Sequence, residues 1–437
     1  MAHIGIIGAG VAGLSAAWEL IQQGHQVTIY EAGAEIGGLA AGFKDTGWDY
    51  TLEKFYHHWF ESDADLLRLA DEVGIRDKIV FPRPKTSFWE NGKHYQLDSP
   101  ISALLTPLMN PIEKIRFGFV TLYLRFTKNW QWLEQSTADE WLQRYYGKTL
   151  YEKMWRPLLI GKFSHLYNEV NMAWMWARLH SRTTRLGTYK GGFQQFLEDI
   201  AAKLKAKGVT IHLNCPVENI DRQADGTVQL RTKDDIQSYA AVISTTSPRL
   251  LLKLAPQIEG AYAKKVKALR SMGAVVIIVS LKQQLMTDNT YWLSLPAKTP
   301  DKHKNPFPFL ALVEHTNYVD KKHFANQHIV YAGDYVEADH EYFQLSDDEL
   351  ADRFLATFQR VNPNFSKDWI INQWVFRAPY AQPLPTIKHS GNIPALRTSI
   401  QGIYWASMSQ VYPWDRGTNY AVEIGRRVAR EVMEDLA

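Results

Sequence analysis

One hexapeptide near the start constrains this chain more than any other feature. Gly8-Ala9-Gly10-Val11-Ala12-Gly13 fits G-x-G-x-x-G and stands between two contrasting segments. Before it, the run 3–7 is short and β-branched and reads as a buried parallel strand. After it, 14–20 has helical composition, with Gly24 suited to the helix end. The run 26–30 is a second strand, and Glu31 sits at its end. Gly8 permits the tight turn, Gly10 lets backbone approach a pyrophosphate, and Gly13 lets helix and strand pack closely. The free N–H groups and positive dipole of the helix start favour phosphate charge. Glu31 can accept hydrogen bonds from both hydroxyls of an adenosine ribose, and it would repel a 2′-phosphate, which disfavours NADP. A chance glycine cluster would not carry strand, helix and acid at these spacings. The pattern predicts an α/β fold that binds a dinucleotide.

Composition bounds the rest. A chain of 437 residues predicts two or three domains. Hydrophobic residues make up 46% and charged residues 22%, as in folded globular proteins. The formal net charge is only +3, which argues against a nucleic-acid binder. The single Cys215 excludes an internal disulfide and a zinc site built from several thiolates. Aromatic residues reach 13%, which points to a wide apolar cavity or surface besides an ordinary core. No signal peptide is visible and no run reaches the roughly 18 apolar residues of a spanning helix. The longest candidate, 117–126, is broken by Arg125 and preceded by Lys114 and Arg116. A cytoplasmic protein is expected, with peripheral membrane contact and oligomeric state left open.

Just past Glu31 comes Ile36-Gly37-Gly38-Leu39-Ala40. Read on residue types alone it is either a surface turn or a second close backbone approach, useful to a longer, bent cofactor. With this segment the stretch 4–39 resembles the FAD-binding amine oxidase superfamily. That superfamily contains monoamine oxidases, protoporphyrinogen oxidase, carotenoid desaturases and, more distantly, UDP-galactopyranose mutase. Tyr189-Lys190-Gly191-Gly192-Phe193 resembles the family's glycine-pair entry to a helix. Gly402 to Ser407, followed by Gly417 and the run 421–427, resembles the last strand and helix of the FAD domain. The stretches 145–148 and 155–163 look most like the protoporphyrinogen oxidase and desaturase branch.

The resemblance implies a Rossmann-type FAD-binding domain assembled from 1–60, 185–250 and 397–437. It implies an interleaved α+β substrate domain from 61–100 and 251–396, and a helical insertion over 101–184. Within these, 87–95 reads as a hairpin turning at Asn91-Gly92, and 274–281 as a central strand of a mixed sheet. Thr137 to Glu140 has the spacing of a capping box. The implied FAD contacts are Gly8, Ala9, Gly10, Val11, Ala12 and Gly13, then Glu31 and Ala32, then Gly37, Gly38 and Leu39. Further along they are Phe55 and Tyr56, Val217 beside the adenine, Thr245, Ser407 and Met408, and finally Thr418, Asn419 and Tyr420 at the start of the last helix. That helix start would stabilise negative charge on a reduced flavin.

A flavin performs the hard step itself, and the protein supplies position, a proton acceptor and electrostatics. His57 is the candidate base, because it lies in an aromatic run beside His58 and histidine titrates near neutrality. Tyr412 and Trp414 are candidates for an aromatic wall, with interface packing as the plain alternative. No metal-ligating set stands out. Departures from the family also count. Gly417 falls where monoamine oxidases place a cage aromatic, Cys215 is far from any flavin-anchoring position, and Leu39 replaces an arginine. Simple amine oxidation on a covalent flavin is therefore disfavoured. Arg178, Arg182 and Arg185 are either solvated groups or a clamp for a diphosphate.

The leading expectation is an FAD-dependent oxidoreductase that moves a hydride from a bulky, largely apolar small molecule to flavin N5, with reoxidation by oxygen or a quinone. A second is a redox-neutral enzyme resembling UDP-galactopyranose mutase, acting on a nucleotide sugar. A third is a non-catalytic FAD-binding subunit.

Overall fold

The computed structural model describes residues 1–437. The chain opens with β1 (His3–Ile7), α1 (Val11–Gln22) and β2 (Gln26–Tyr30), then leaves that sheet for its first excursion. This passes through α2 (Ala64–Val73), a hairpin of β3 (Lys85–Glu90) and β4 (Lys93–Gln96), and a helical layer. The layer contains α3 (Pro100–Leu105), α4 (Pro111–Phe126), α5 (Ala138–Tyr146), α6 (Arg156–Phe163) and α7 (Met172–His180). The chain returns through α8 (Phe193–Ala206), β5 (Thr210–His212), β6 (Val217–Arg222), β7 (Val228–Thr232), β8 (Ile236–Tyr239) and β9 (Ala241–Ser244). The second excursion carries β10 (Ser271–Leu281), β11 (Thr290–Ser294), β12 (Ala311–Glu314), β13 (His328–Val336), α9 (Asp347–Leu355) and β14 (Ile370–Pro383). The closing return is β15 (Ile403–Trp405) and α10 (Thr418–Leu436).

Two principal sheets result. The first is parallel, in the order β5-β2-β1-β9-β15, and is assembled from the start, middle and end of the chain. Its strands read as continuous apolar runs because helices cover the sheet. The second has seven strands in the order β14-β10-β13-β12-β11-β3-β4. It is mixed, since β11 pairs β3 in parallel while the other pairs are antiparallel. The hairpin at Asn91-Gly92 forms β3–β4, with both turn residues at positive φ. β10 is the continuous apolar strand expected, but it lies second from an edge, because the 14-residue β14 covers its outer side.

The cores move two expected boundaries. Leu66, Leu69 and Val73 of α2 pack with Ile4, Ile6 and Val428, so 64–79 joins the parallel-sheet core rather than the substrate side. The cause is Asn419 on α10, whose Oδ1 accepts from the Asp65 and Leu66 N–H groups and docks the start of α2. Leu251, Leu254 and Val266 likewise pack with Ile220 and Trp405. Much of the aromatic abundance goes into the cores. Trp59, Trp174, Trp405, Tyr146, Tyr151, Tyr189 and Phe163 are all almost fully buried and fill the cores. No helix is long and apolar enough to cross a membrane.

Candidate functional site

The glycine turn is shaped by contacts that exclude side chains at two positions and admit one at the third. Gly8 has φ +103°, and a Cβ there would lie 2.3 Å from Thr245 Oγ1. A Cβ on Gly13 would lie 2.0 Å from the Gly8 carbonyl oxygen. At Gly10 the nearest atom to such a Cβ is the Gly37 carbonyl oxygen, 3.8 Å away, so that face borders open space. The second glycine pair closes onto the first: Gly37 N–H donates to the Ala9 carbonyl at 2.9 Å, and Gly10 and Gly37 form a parallel bridge. α1 starts at Val11 with no side-chain cap and no acid in its first turn. The N–H groups of Val11, Ala12 and Gly13 therefore lack intrahelical partners and remain available to an anion.

Glu31 is held over this turn. Its Oε2 accepts from the Ala9 N–H at 2.9 Å and its Oε1 from the Gly33 N–H at 2.8 Å, which leaves lone pairs for a diol. Ala32 is exposed beside it. Cys215 N–H donates to the Glu31 carbonyl at 2.9 Å, which brings the half-buried Val217 alongside the same strand end. Thr245 donates both its N–H and its hydroxyl to the Ile7 carbonyl, at 2.9 and 2.8 Å, and so forms the wall opposite Gly8. An uncapped helix start, a glycine floor and a fixed carboxylate fit an adenine dinucleotide.

α10, the last helix, begins at Thr418, again without a side-chain cap. The side chains of its first turn are already engaged elsewhere. Thr418 Oγ1 accepts from Trp59 Nε1 at 2.6 Å, Asn419 docks α2, and Tyr420 stacks on Trp414 with centroids 5.7 Å apart. Only their backbone groups are free to meet a ligand. Ser407 is buried, with its N–H donating to Gln410 Oε1 at 2.9 Å, while Met408 is half-buried.

A narrow cavity of about 30 Å³ adjoins the groove, lined by Leu39, Phe55, Tyr56, His57, Ala274, Val276, Asp334, Tyr335, Ala381 and Arg416. Leu39 lines this cavity and directly follows Gly38, where an added Cβ would lie 3.7 Å from Gly10 Cα in the turn. β10, β13 and β14 supply one wall and the segment 55–57 another. Gly333 on β13 makes room for Tyr56, whose ring would lie 2.5 Å from a Cβ there. His57 Nδ1 faces the Phe55 carbonyl, so it carries the proton and Nε2 keeps the lone pair. Burial, then the nearby Arg416 charge, pushes its pKa down to about 4. Burial and the charges of Arg182, His57 and Arg178 push His58 lower still, to about 3.

A cationic cluster stands on the Tyr335 side. Arg416 donates to the Tyr335 hydroxyl and, through Nε, to Gln382 Oε1 at 3.0 Å. Lys162 Nζ lies 3.8 Å from the centre of the same ring, and the residue is only 6% exposed. Burial, with Arg416 and Arg178 close by, holds the Lys162 ammonium well below its usual range. Two carboxylates stand nearby: Asp415 is paired to Arg178 at 2.6 Å, and Asp334, which lines the cavity, is paired to the buried Lys302 at 2.9 Å. For Asp415 the balance is with the cations. Burial would raise its pKa, yet Arg178, Lys162 and Arg416 hold it at about 2.

Two expected catalytic residues stand elsewhere. The Tyr412 hydroxyl donates to Glu134 at 2.8 Å and accepts from Asn171 Nδ2 at 2.9 Å, and its ring meets Trp130 edge-on. Trp414 stacks between Trp176 and Tyr420. Both pack the helical layer because the chain crosses that layer before α10, where polar and aromatic partners await them, and neither lines the cavity. Arg178, expected as either solvated or part of a clamp, is tied to Asp415. Sequence reasoning missed Arg416, Tyr335 and Lys162 as site residues. The available signals were a lone lysine in the apolar helix 156–163 and a charged Asp-Arg pair directly before Gly417.

The flavin containing amine oxidoreductase model matches residues 11–433. Among curated proteins, 15-cis-phytoene desaturase of Synechococcus elongatus is 26% identical over 255 residues, 52% of this chain and 52% of its own length. Mitochondrial protoporphyrinogen oxidase of Nicotiana tabacum is 28% identical over 173 residues, 36% of this chain and 32% of its own. The match thus spans about half or less of those relatives. A solved structure provisionally named a protoporphyrinogen oxidase, from Exiguobacterium sp. 255-15, superposes with TM-score 0.77 at 19% identity, covering 99% of this chain and 98% of that one. Reduced UDP-galactopyranose mutase superposes with TM-score 0.75 at 17% identity, covering 100% and 96%. At such identities the two structures establish the fold: an α/β architecture with a Rossmann-type dinucleotide domain. The cofactor is FAD, and the chain belongs to the flavin containing amine oxidoreductase family.

Proposed function

We propose that the protein is an FAD-dependent oxidoreductase acting on a bulky, mostly apolar small molecule that carries an acidic group, of which the narrow cavity takes in only one part. The observation that supports this reading most is the position of Leu39, which links the dinucleotide groove to the cavity holding His57 and Arg416. Bound FAD supplies a two-electron acceptor for a hydride leaving a substrate carbon, with oxygen or a quinone as final oxidant. The residues of the chain do the rest. Phe55, Ala274, Val276 and Ala381 exclude water and pack an apolar body. His57 Nε2, unprotonated at neutral pH, takes the proton released with the hydride. Arg416, which stays charged and lines the cavity, presents positive charge to the acidic group, and Lys162 stands beside it across the Tyr335 ring.

Anaerobic mixing of the yellow holoprotein with a panel of apolar carboxylic acids and their uncharged amides tests this. Bleaching of the flavin bands by a member of the acid series, slowed about a hundredfold by His57→Gln, is the expected result. Absence of bleaching by any donor, together with turnover of a nucleotide sugar only after dithionite reduction, would replace it with the mutase-like reading. Bound flavin that no small donor reduces would replace it with a non-catalytic subunit.

A further inference from the structure

The helical layer turns an apolar stripe outward. On α4, Ile112, Ile115, Phe119, Leu122 and Phe126 recur at helical spacing and face solvent, at 78, 61, 73, 56 and 72% exposure. The opposite face of α4 buries Leu124 against the layer, so the stripe is not a core face turned the wrong way. Ile101, Leu104 and Leu105 on the adjoining α3 are 70, 65 and 77% exposed. Ten of the seventeen exposed large hydrophobic residues of the chain fall between 101 and 132, while the others are scattered. Isolated exposed leucines mean nothing, but a contiguous patch of this kind marks an interaction surface.

Charge identifies the partner. Residues 100–133 hold four basic side chains, Lys114, Arg116, Arg125 and Lys128, and one acidic one, Glu113. No carboxylate neutralises them. Arg116 donates to the Tyr145 and Arg144 carbonyls, and Arg125 to those of Leu179, His180 and Arg182. Tyr123 and Trp132, 46 and 45% exposed, add amphipathic rings that suit a water–hydrocarbon boundary. A second copy of the chain would bring this positive rim against itself, whereas anionic lipid would complement it.

We propose that α3 and α4 dock in the plane of an anionic lipid surface, with the stripe inserted among acyl chains and the basic rim on the headgroups. The layer is mechanically tied to the cavity. Arg125 clamps α4 to the end of α7, and Arg178 on α7 pairs with Asp415, the neighbour of Arg416. This surface stands apart from the proposed reaction, and its test needs no turnover.

The test is co-sedimentation of flavin-loaded protein with vesicles of phosphatidylcholine alone or mixed with phosphatidylglycerol. Binding to the mixed vesicles, weakened by raised salt, is expected. Phe119→Glu with Phe126→Glu should weaken it at least tenfold while the flavin spectrum and melting temperature stay as in the wild type. Ile236→Glu, at an isolated exposed position, should bind as the wild type does. Wild-type protein remaining in the supernatant with mixed vesicles would overturn the proposal, as would a doubly substituted protein that still sediments. A wild-type dimer in analytical ultracentrifugation that the same pair of substitutions dissociates would assign the stripe to a second copy instead.

Discussion

The Lys162 ammonium rests 3.8 Å from the centre of the Tyr335 ring and forms no ion pair of its own. Ring electrons offset part of its lost hydration, but a buried cation without a carboxylate remains costly. Lys162→Met should therefore fold at least as stably near neutrality, by about 1–3 kcal/mol. Burial lowers the ammonium pKa, so unfolding takes up a proton. The penalty is fully present at low pH and is relieved as pH rises toward the unfolded lysine's pKa, about 10. Melting curves should show wild type gaining on Lys162→Met between neutrality and that limit. If the lysine meets an acidic substrate, the substitution also raises KM more than it lowers kcat.

His57 is held neutral by burial and by Arg416, with its pKa near 4. The rate of anaerobic flavin reduction should be flat from neutrality down and fall as pH approaches that value, because protonation removes the Nε2 lone pair. Stopped-flow traces of His57→Gln should be slow and lose this acid limb. An unchanged acid limb in the variant would remove His57 from the proton path.

Glu53 is 2% exposed, and one oxygen accepts the Phe193 N–H at 3.0 Å at the start of α8. Burial raises its pKa from 4.5 to about 7 against the opposing pull of that hydrogen bond. The folded state thus binds the proton more tightly than the unfolded state does. Stability from this carboxyl is present below about pH 4.5 and is lost as pH rises through about 7, a swing of about 3 kcal/mol. Denaturant titrations should show Glu53→Gln gaining on wild type across that window, which identical pH profiles would contradict.

The glycines of the turn separate folding from cofactor binding. Gly10→Ala places a methyl where the nearest atom is 3.8 Å away, so the protein should melt as the wild-type apoprotein does while retaining about tenfold less flavin. Gly13→Ala drives a methyl to 2.0 Å from the Gly8 carbonyl and should destabilise the fold itself. Flavin content and circular dichroism of the two variants give the comparison.

Asn419 touches α2 through its side chain and leaves only backbone toward the groove. Asn419→Ala should cost about 1 kcal/mol of stability, as loss of a helix cap does, with flavin content and spectrum unchanged. Loss of flavin at unchanged stability would place the side chain on the cofactor instead.

The parts legible in the chain were those whose physics is local. The turn 8–13 is set by contacts within one βαβ unit, where steric exclusion and free helix donors act over a few residues. The hairpin at Asn91-Gly92 and the cap at Thr137, whose Oγ1 accepts from Glu140 N–H at 3.2 Å, follow from backbone preferences of the same range. Tyr412 and Trp414 kept two readings, aromatic wall or interface packing, because an aromatic residue packs wherever apolar surface is offered, and sequence does not say that α7 lies beneath Trp414.

The sequence by itself determined the glycine turn, the acid at the end of β2 and the αβ alternation around them, because neighbouring residues create each. Only the tertiary structure decided which groups surround the cavity. Leu39, His57, Tyr335 and Arg416 come from segments nearly 400 residues apart, joined when two sheets share one chain. Their charges and burial arise from that packing, so no local pattern of residues records them.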